Sequence, residues 1–285
     1  SFAVPDNIKT IGKNAFSGCS SLKDINLSQI ETIGIGAFKN SGLENVTIPN
    51  TVKTIDSEAF AYDQALETVE FDENSQVKTI GKDAFIGCGF HEITIPDGVE
   101  SIGAGAFKNT QLGLVKIEGM NTELLWDAND VILPENSEIE CYYGSKAYNF
   151  AKEYGYVMDL KVGYDKDGID SYVRDEGNVE LVKGVSVGPN LVSIKEDAFN
   201  GTPRLESIVF DKDSKLESIE EKAFAGTKLV DVTLPETTTK LGKGAFADNT
   251  ALKSISLGGV TEIPDQAFKG DSSVSTVVDS TQITS

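Results

Sequence analysis

The stretch Ile11-Gly12-Lys13-Asn14-Ala15-Phe16-Ser17-Gly18-Cys19-Ser20-Ser21-Leu22-Lys23-Asp24-Ile25-Asn26-Leu27 holds one complete pattern that the rest of the chain repeats. Its first half, Ile-x-x-x-Ala-Phe, returns at Ile33–Phe38, Ile55–Phe60, Ile80–Phe85, Ile102–Phe107, Ile194–Phe199, Ile219–Phe224, Leu241–Phe246 and Ile263–Phe268. Successive phenylalanines stand 22, 22, 25 and 22 residues apart, then 92, then 25, 22 and 22. Self-similarity at a period of about 20–50 residues marks a stacked solenoid, in which one unit cannot bury its apolar face alone.

The second half of the pattern is apolar-x-x-apolar-x-apolar. It appears as Leu22-Ile25-Leu27, Leu43-Val46-Ile48, Leu66-Val69-Phe71, Phe90-Ile93-Ile95 and Leu112-Val115-Ile117, and again as Leu205-Ile208-Phe210, Leu229-Val232-Leu234 and Leu252-Ile255-Leu257. Its closing pair alternates with period two and predicts a short strand with one buried face. Proline follows at Pro49, Pro96 and Pro235, where it ends the strand because it cannot donate to a ladder. A second apolar pair (Val52-Ile55, Val77-Ile80, Val99-Ile102, Leu216-Ile219) leads back into the next Ile-x-x-x-Ala-Phe. Nine of the 14 phenylalanines fill the same slot, which predicts a stacked spine rather than a site. The strand-to-return connection is stretched twice, at 71–77 and 210–216, and longer loops cost little closure entropy. The matching insertions suggest a duplicated block.

The expected fold is thus mainly β with short helical turns: a right-handed solenoid of about nine 22–25-residue repeats in two arrays. Read from Ile11 to Leu27, the pattern Ile-Gly-x-x-Ala-Phe-x-Gly-Cys-x-x-Leu-x-x-Ile-x-Leu resembles the BspA-like leucine-rich repeats of bacterial surface proteins. That resemblance implies a non-catalytic module, extracellular or on the bacterial cell surface, of a family in which some members bind host matrix proteins or other bacteria. The motif is scaffold, so it implies fold and leaves the ligand open.

Residues 119–182 lack the motif. Leu124-Leu125-Trp126 and Val131-Ile132-Leu133-Pro134 read as degenerate strands, and Ser145–Tyr154 as a helix capped by Ser145 and stopped at Gly155. Tyr142–Tyr156 looks like the terminal cap that closes arrays of this family. Ile169–Val173 and Val179–Val182 flank a turn at 175–178, predicting a hairpin that opens a second array whose first strand is Val182-Val185-Val187. This divides the chain into 1–160 and 161–285, with one continuous solenoid over 1–285 as the alternative. Phe2-Ala3-Val4-Pro5 reads as the tail of a strand and Val274-Val277-Val278 as a last one, so the chain has the character of a piece of a longer array.

With 25 basic and 45 acidic residues the net charge is −20, which argues against nucleic acid and anionic membrane surfaces as partners. No apolar run approaches the roughly 20 residues of a membrane span, so no membrane insertion is expected. Neither is a signal peptide visible, although a chain beginning within a repeat leaves export open. Cys19 and Cys88 share a slot three repeats apart. At about 4.8 Å per stacked strand they lie roughly 14 Å apart, beyond the about 7 Å limit of a disulfide. Cys19, Cys88 and Cys141 are expected to be buried free thiols.

Chemistry is sparse. His91 is the single histidine; Cys88-x-x-His91 has too few partners for zinc, and Cys88 sits in a slot that predicts burial. Asp165–Asp170 resembles the start of a calcium loop without the glycine or the terminal glutamate. No metal or cofactor is expected. The candidate binding face is the outward side of the strands: Asn26, Thr47, Glu70, Thr94, Lys116, Val209, Thr233 and Ser256, flanked by a second column that includes Leu114. Leu114, Lys116 and Val209 interrupt the polar pattern and are the expected anchors. The chain reads as a monomeric binding module for a protein or glycan, host matrix among the expected partners. The alternatives are a passive stalk or a carbohydrate-active enzyme with a carboxylate pair in 119–182.

Overall fold

Repeat after repeat, the apolar-x-apolar pairs form parallel strands that stack one per turn. The computed structural model describes residues 2–125, 132–164, 171–172 and 179–278. They fall into two units, Ser1–Tyr156 and Val157–Ser285.

In unit 1 the returning pairs build one parallel ladder in the order Glu123–Leu124, Ser101–Ile102, Thr79–Ile80, Thr54–Ile55, Thr32–Ile33, Thr10–Ile11. The longer strands stand on another side of each turn. Phe2–Ala3 pairs with Ile25–Asn26, and Asn45–Ile48 with Thr68–Phe71; Glu92–Ile95, Leu114–Ile117 and Glu138–Tyr142 form a third group, all parallel. Alternation puts Val46, Ile48, Ile93, Ile95, Val115 and Ile117 in the core and their neighbours outside. The strands stop at Ile48 and Ile95, just before Pro49 and Pro96.

The Ala-Phe segments supply a third side that is neither strand nor helix. Alternate N–H groups serve two purposes there. Ala15, Ser17 and Cys19 donate within the turn to Gly12, Asn14 and Phe16, at 3.1–3.2 Å. Asn14, Phe16 and Gly18 donate forward to Ile35, Ala37 and Lys39 of the next turn, at 2.7–2.9 Å. Later turns do the same, for instance Phe38 to Ala59 (2.7 Å) and Phe199 to Ala223 (2.7 Å). Beside the return strands the bonds point backward instead, from Gly34, Asp56 and Gly81 to Ile11, Ile33 and Ile55.

This zigzag needs left-handed backbone on both sides of every phenylalanine. Two residues before it stand Asn14, Gly36, Glu58, Asp83, Gly105, Asp197, Lys222, Gly244 and Gln266, and all nine have positive φ. Two residues after it stand Gly18, Asn40, Tyr62, Gly87, Asn109, Gly201, Gly226, Asp248 and Gly270, again all positive. Left-handed backbone costs a non-glycine residue roughly 1–2 kcal/mol, so the forward hydrogen bonds and the buried ring must offset it.

The rings do stack. Centroids of Phe16, Phe38, Phe60, Phe85 and Phe107 are 5.2–5.8 Å apart with interplanar angles of at most 13°. In unit 2 Phe199, Phe224, Phe246 and Phe268 follow at 5.2–6.0 Å. Interior rings are fully buried, whereas Phe16 and Phe268 at the ends are only half-buried.

Beside the rings runs a buried column, three residues after each phenylalanine: Ser41, Asp63, Cys88 and Thr110 in unit 1, Thr202, Thr227 and Asn249 in unit 2. Asn249 satisfies itself completely, donating to the Phe224 and Phe246 carbonyls (2.8 and 2.6 Å) and accepting from Thr227. All three thiols are free. Cys88 and Cys141 are buried as expected, but Cys19 is exposed. It occupies the same slot in the Ala-Phe turn at Phe16.

Unit 1 closes with the helix Lys146–Tyr154, packed on Glu138–Tyr142 and Glu123–Leu124. Ser145 caps it, its hydroxyl accepting from the Tyr148 N–H at 3.0 Å, and Gly155 ends it with φ 79°. Leu124 lies in a strand, whereas Ile132 and Leu133 are buried without forming one; 126–131 lie outside the described residues. The strand that does form is Glu138–Tyr142, with Ile139 and Cys141 inward.

Unit 2 opens with Val157–Val162, which pairs in parallel with Val182–Val187 and is therefore a strand earlier than the expected first one. Val182–Val187 continues to Ser207–Phe210, and Asp231–Thr233, Ser254–Ser256 and Thr276–Val278 form another group. The flanks of the expected hairpin do not pair with each other among the described residues. Ser171–Tyr172 joins the return ladder in parallel with Ser193–Ile194, while Val179–Leu181 is a 3-10 turn leading into Val182. The turn at 173–178 and the calcium-like stretch 165–170 lie outside the described residues.

Candidate recognition surface

On the outward side of unit 1, parallel register lines up the polar columns. Asn45 stands beside Thr68 and Thr47 beside Glu70; Glu92 stands beside Leu114 and Thr94 beside Lys116. Asn26, Thr47, Glu70 and Thr94 are exposed, whereas Leu114 and Lys116 are half-buried. Neighbours in a column bond to one another: Thr68 Oγ donates to Asn45 Oδ1, and Lys116 Nζ reaches diagonally to Glu92 at 2.6 Å. In unit 2 Val209 is 62% exposed and Thr233 is exposed, but Ser256 is 8% exposed. Ser256 sits between Thr233 and Val278 in the ladder, and the Leu234 N–H donates to its carbonyl. It therefore offers no side chain to a ligand.

The columns are interrupted at one place. Thr68–Phe71 belongs with Asn45–Ile48, and Glu92–Ile95 with Leu114–Ile117; no ladder joins the two pairs among the described residues. The break coincides with the stretched connection after Phe71, whose residues Asp72–Ser75 form one wall of a hollow that the strands also line. Between wall and strands lies an open concavity of about 920 Å³. Val69 and Ile93 contribute to its lining, Thr68, Thr94, Asn74 and Ser75 add hydroxyl and amide groups, and six carboxylates ring it: Glu67, Glu70, Asp72, Glu73, Glu92 and Asp97. Of the expected face, this concavity brings together Glu70 and Thr94 and leaves the rest outside.

His91 also lines it, exposed, just ahead of the strand that begins at Glu92. It is not part of a cysteine–histidine pair suited to nucleophilic attack. The Cys88 thiol is buried and donates to the Phe60 carbonyl at 3.1 Å, and burial pushes its pKa well above the ordinary thiol value. A nucleophilic thiol needs the opposite environment. Among the described residues no group of three or more His, Cys, Asp or Glu side chains could hold a metal ion, and no helix is long and apolar enough to cross a membrane.

The wall residues are visible in the sequence as Asp72-Glu73-Asn74-Ser75, but length alone does not reveal that the insertion faces the strands. The signal that could have found the site is the coincidence of that acidic insertion with the chain's single histidine one repeat later.

Among solved structures the chain is similar to a leucine-rich repeat protein from Bacteroides ovatus, with 21% identity over 96% of this chain and 71% of that one, at a TM-score of 0.33. It is similar to a leucine-rich cell surface protein from Faecalibacterium prausnitzii, with 19% identity over 98% and 87%, at a TM-score of 0.34. A third is a pneumococcal vaccine antigen, with 18% identity over 98% and 77%, at a TM-score of 0.32. No curated protein matches. The profile of the BspA type leucine-rich repeat region matches residues 1–113 and 178–285 in six copies, more than three-quarters of the chain, and those are the residues that carry the Ala-Phe turns. The chain belongs to the BspA-type leucine-rich repeat family.

Proposed function

We propose that the chain is an exported, cell-surface recognition module that binds a basic segment of a protein partner on the outward strand face of unit 1, without catalysing a reaction. The observation that carries this reading is the concavity beside Thr68–Phe71 and Glu92–Ile95, which six carboxylates line. A face ringed by one sign of charge concentrates partners of the other sign and raises their association rate. The chain's net charge of −20 reinforces that field at a distance. Lys116, paired with Glu92, sits at the edge of the same face and adds a fixed point of opposite sign. Membership of a family of bacterial surface proteins supports the exported location. A passive spacer has no use for a concavity at a break in its polar columns.

The test is binding of a fluorescent lysine-rich peptide and of a panel of purified host matrix proteins, by anisotropy at about 50 and about 300 mM salt. Saturable binding that weakens with salt is expected. It should be lost in Glu70→Lys/Glu73→Lys and kept in Val209→Glu, which changes unit 2. Failure of every probe to bind, or binding unmoved by the double substitution, would refute this face and favour the spacer.

A further inference from the structure

Three residues after most of the stacked phenylalanines the chain places a neutral group. Ser41, Cys88 and Thr110 fill this slot in unit 1, and the Thr110 hydroxyl and the Cys88 thiol each donate to a phenylalanine carbonyl. The third turn places a carboxylate there instead. Asp63 is 0% exposed. One carboxylate oxygen accepts from the Ser41 hydroxyl of the preceding turn, and the other, Oδ1, meets no protein donor. No cation touches it among the described residues.

The charged and titratable groups that face Asp63 are few. Lys23 acts from a distance, its ammonium more than half exposed and 3.1 Å from Glu44, so that its charge is already shared and largely solvated. Cys88, on the following turn, is a neutral thiol committed to the Phe60 carbonyl. A buried carboxylate with one oxygen lacking a partner costs stability when ionised, and the cost falls when it takes up a proton.

We propose that Asp63 makes unit 1 an acid-tightened array, in which uptake of one proton at this buried slot strengthens the stack around the third turn. The direction of the titration agrees: burial raises the Asp63 pKa, and the Ser41 hydroxyl, the Leu43 backbone N–H and the Lys23 charge together lower it by less. The sign follows. A folded-state pKa above the unfolded one means that the folded unit holds the extra proton as pH falls. Stability therefore rises as pH drops through the folded pKa and levels off at the unfolded value, near 4.

The experiment is urea unfolding of the whole chain at pH 7.5, 6 and 5, for the wild type and for Asp63→Asn, alongside NMR of the Asp63 carboxyl carbon in the wild type. Asp63→Asn should raise the urea midpoint at pH 7.5. Its advantage over the wild type should shrink by at least half on going to pH 5, and the carboxyl carbon should titrate above the ordinary aspartate range. An Asn variant that keeps the full pH dependence of the wild type would overturn the proposal. So would a carboxyl carbon that titrates at or below the ordinary range, an outcome readable even if the variant folds poorly.

Discussion

Replacing Phe60 by alanine removes a fully buried ring from the middle of a stack, 5.2 Å from Phe38 on one side and 5.2 Å from Phe85 on the other. Loss of its transfer energy together with the cavity left behind should cost about 4 kcal/mol, within the usual range for buried phenylalanine. Phe16 is the informative comparison. It is half-buried, with one stacked neighbour at 5.4 Å and an edge contact to Phe2 at 5.4 Å, so its truncation should cost about 1.5–2 kcal/mol. Native-state hydrogen exchange reads both, because the amides of Phe38 and Phe60 donate to Ala59 and Ala84 and are protected only while successive turns stay stacked. Protection should fall strongly in unit 1 and stay unchanged at Phe199, whose amide donates to Ala223 in unit 2. If Phe16→Ala costs as much as Phe60→Ala, or if Phe60→Ala costs under about 2 kcal/mol, the ring stack is not what holds the turns together.

Two glycines two residues apart separate steric from conformational need. A Cβ on Gly242 would lie 2.3 Å from the Glu220 carbonyl carbon, so Gly242→Ala should cost about 2–3 kcal/mol of unfolding free energy. Gly244 has φ 62° and its nearest neighbour would be 3.6 Å away; Gly244→Ala should cost about 1 kcal/mol, and Gly244→Asn less, which urea denaturation of the three variants will decide. Asp271 accepts from the Asn249 N–H at 2.7 Å, but burial pushes its pKa up to about 6. Because its folded value is raised, its contribution to stability falls as pH rises through about 6 and recovers below it. After discounting for partial exposure, Asp271→Asn should gain about 1–2 kcal/mol at pH 7.5 and nothing at pH 4, read from thermal or urea midpoints.

What could be read from the chain beforehand follows from which forces are local. The phenylalanine spine, the strands ending before Pro49 and Pro96 and the helix between Ser145 and Gly155 all rest on spacing, proline chemistry and caps, and they form as expected. The left-handed positions were legible only where glycine, asparagine or aspartate stood. Glu58, Tyr62, Lys222 and Gln266 carry no such preference, and the forward hydrogen bonds impose it on them. Burial at a given slot depends on the turns above and below: Cys19 is exposed and Cys88 buried in one slot, and Ser256 is covered while Thr233 is not. The strand Glu138–Tyr142 went unread because its glutamates mask an Ile139-x-Cys141 alternation, although period two was present. The concavity depended on where an insertion points, which composition does not encode.

The opposed directions of hydrogen bonding on the sides of each turn have an electrostatic consequence. In a helix every peptide dipole adds to the last, and the ends acquire partial charges of about half a proton. Here the bonds of the Ala-Phe side run forward from Phe16 to Ala37, while those flanking the return strands run backward from Gly34 to Ile11. Peptide dipoles along the stacking direction thus oppose one another turn by turn. A stack built this way can grow by whole repeats without accumulating charge at its ends, and whatever attraction it exerts on a partner must come from its side chains.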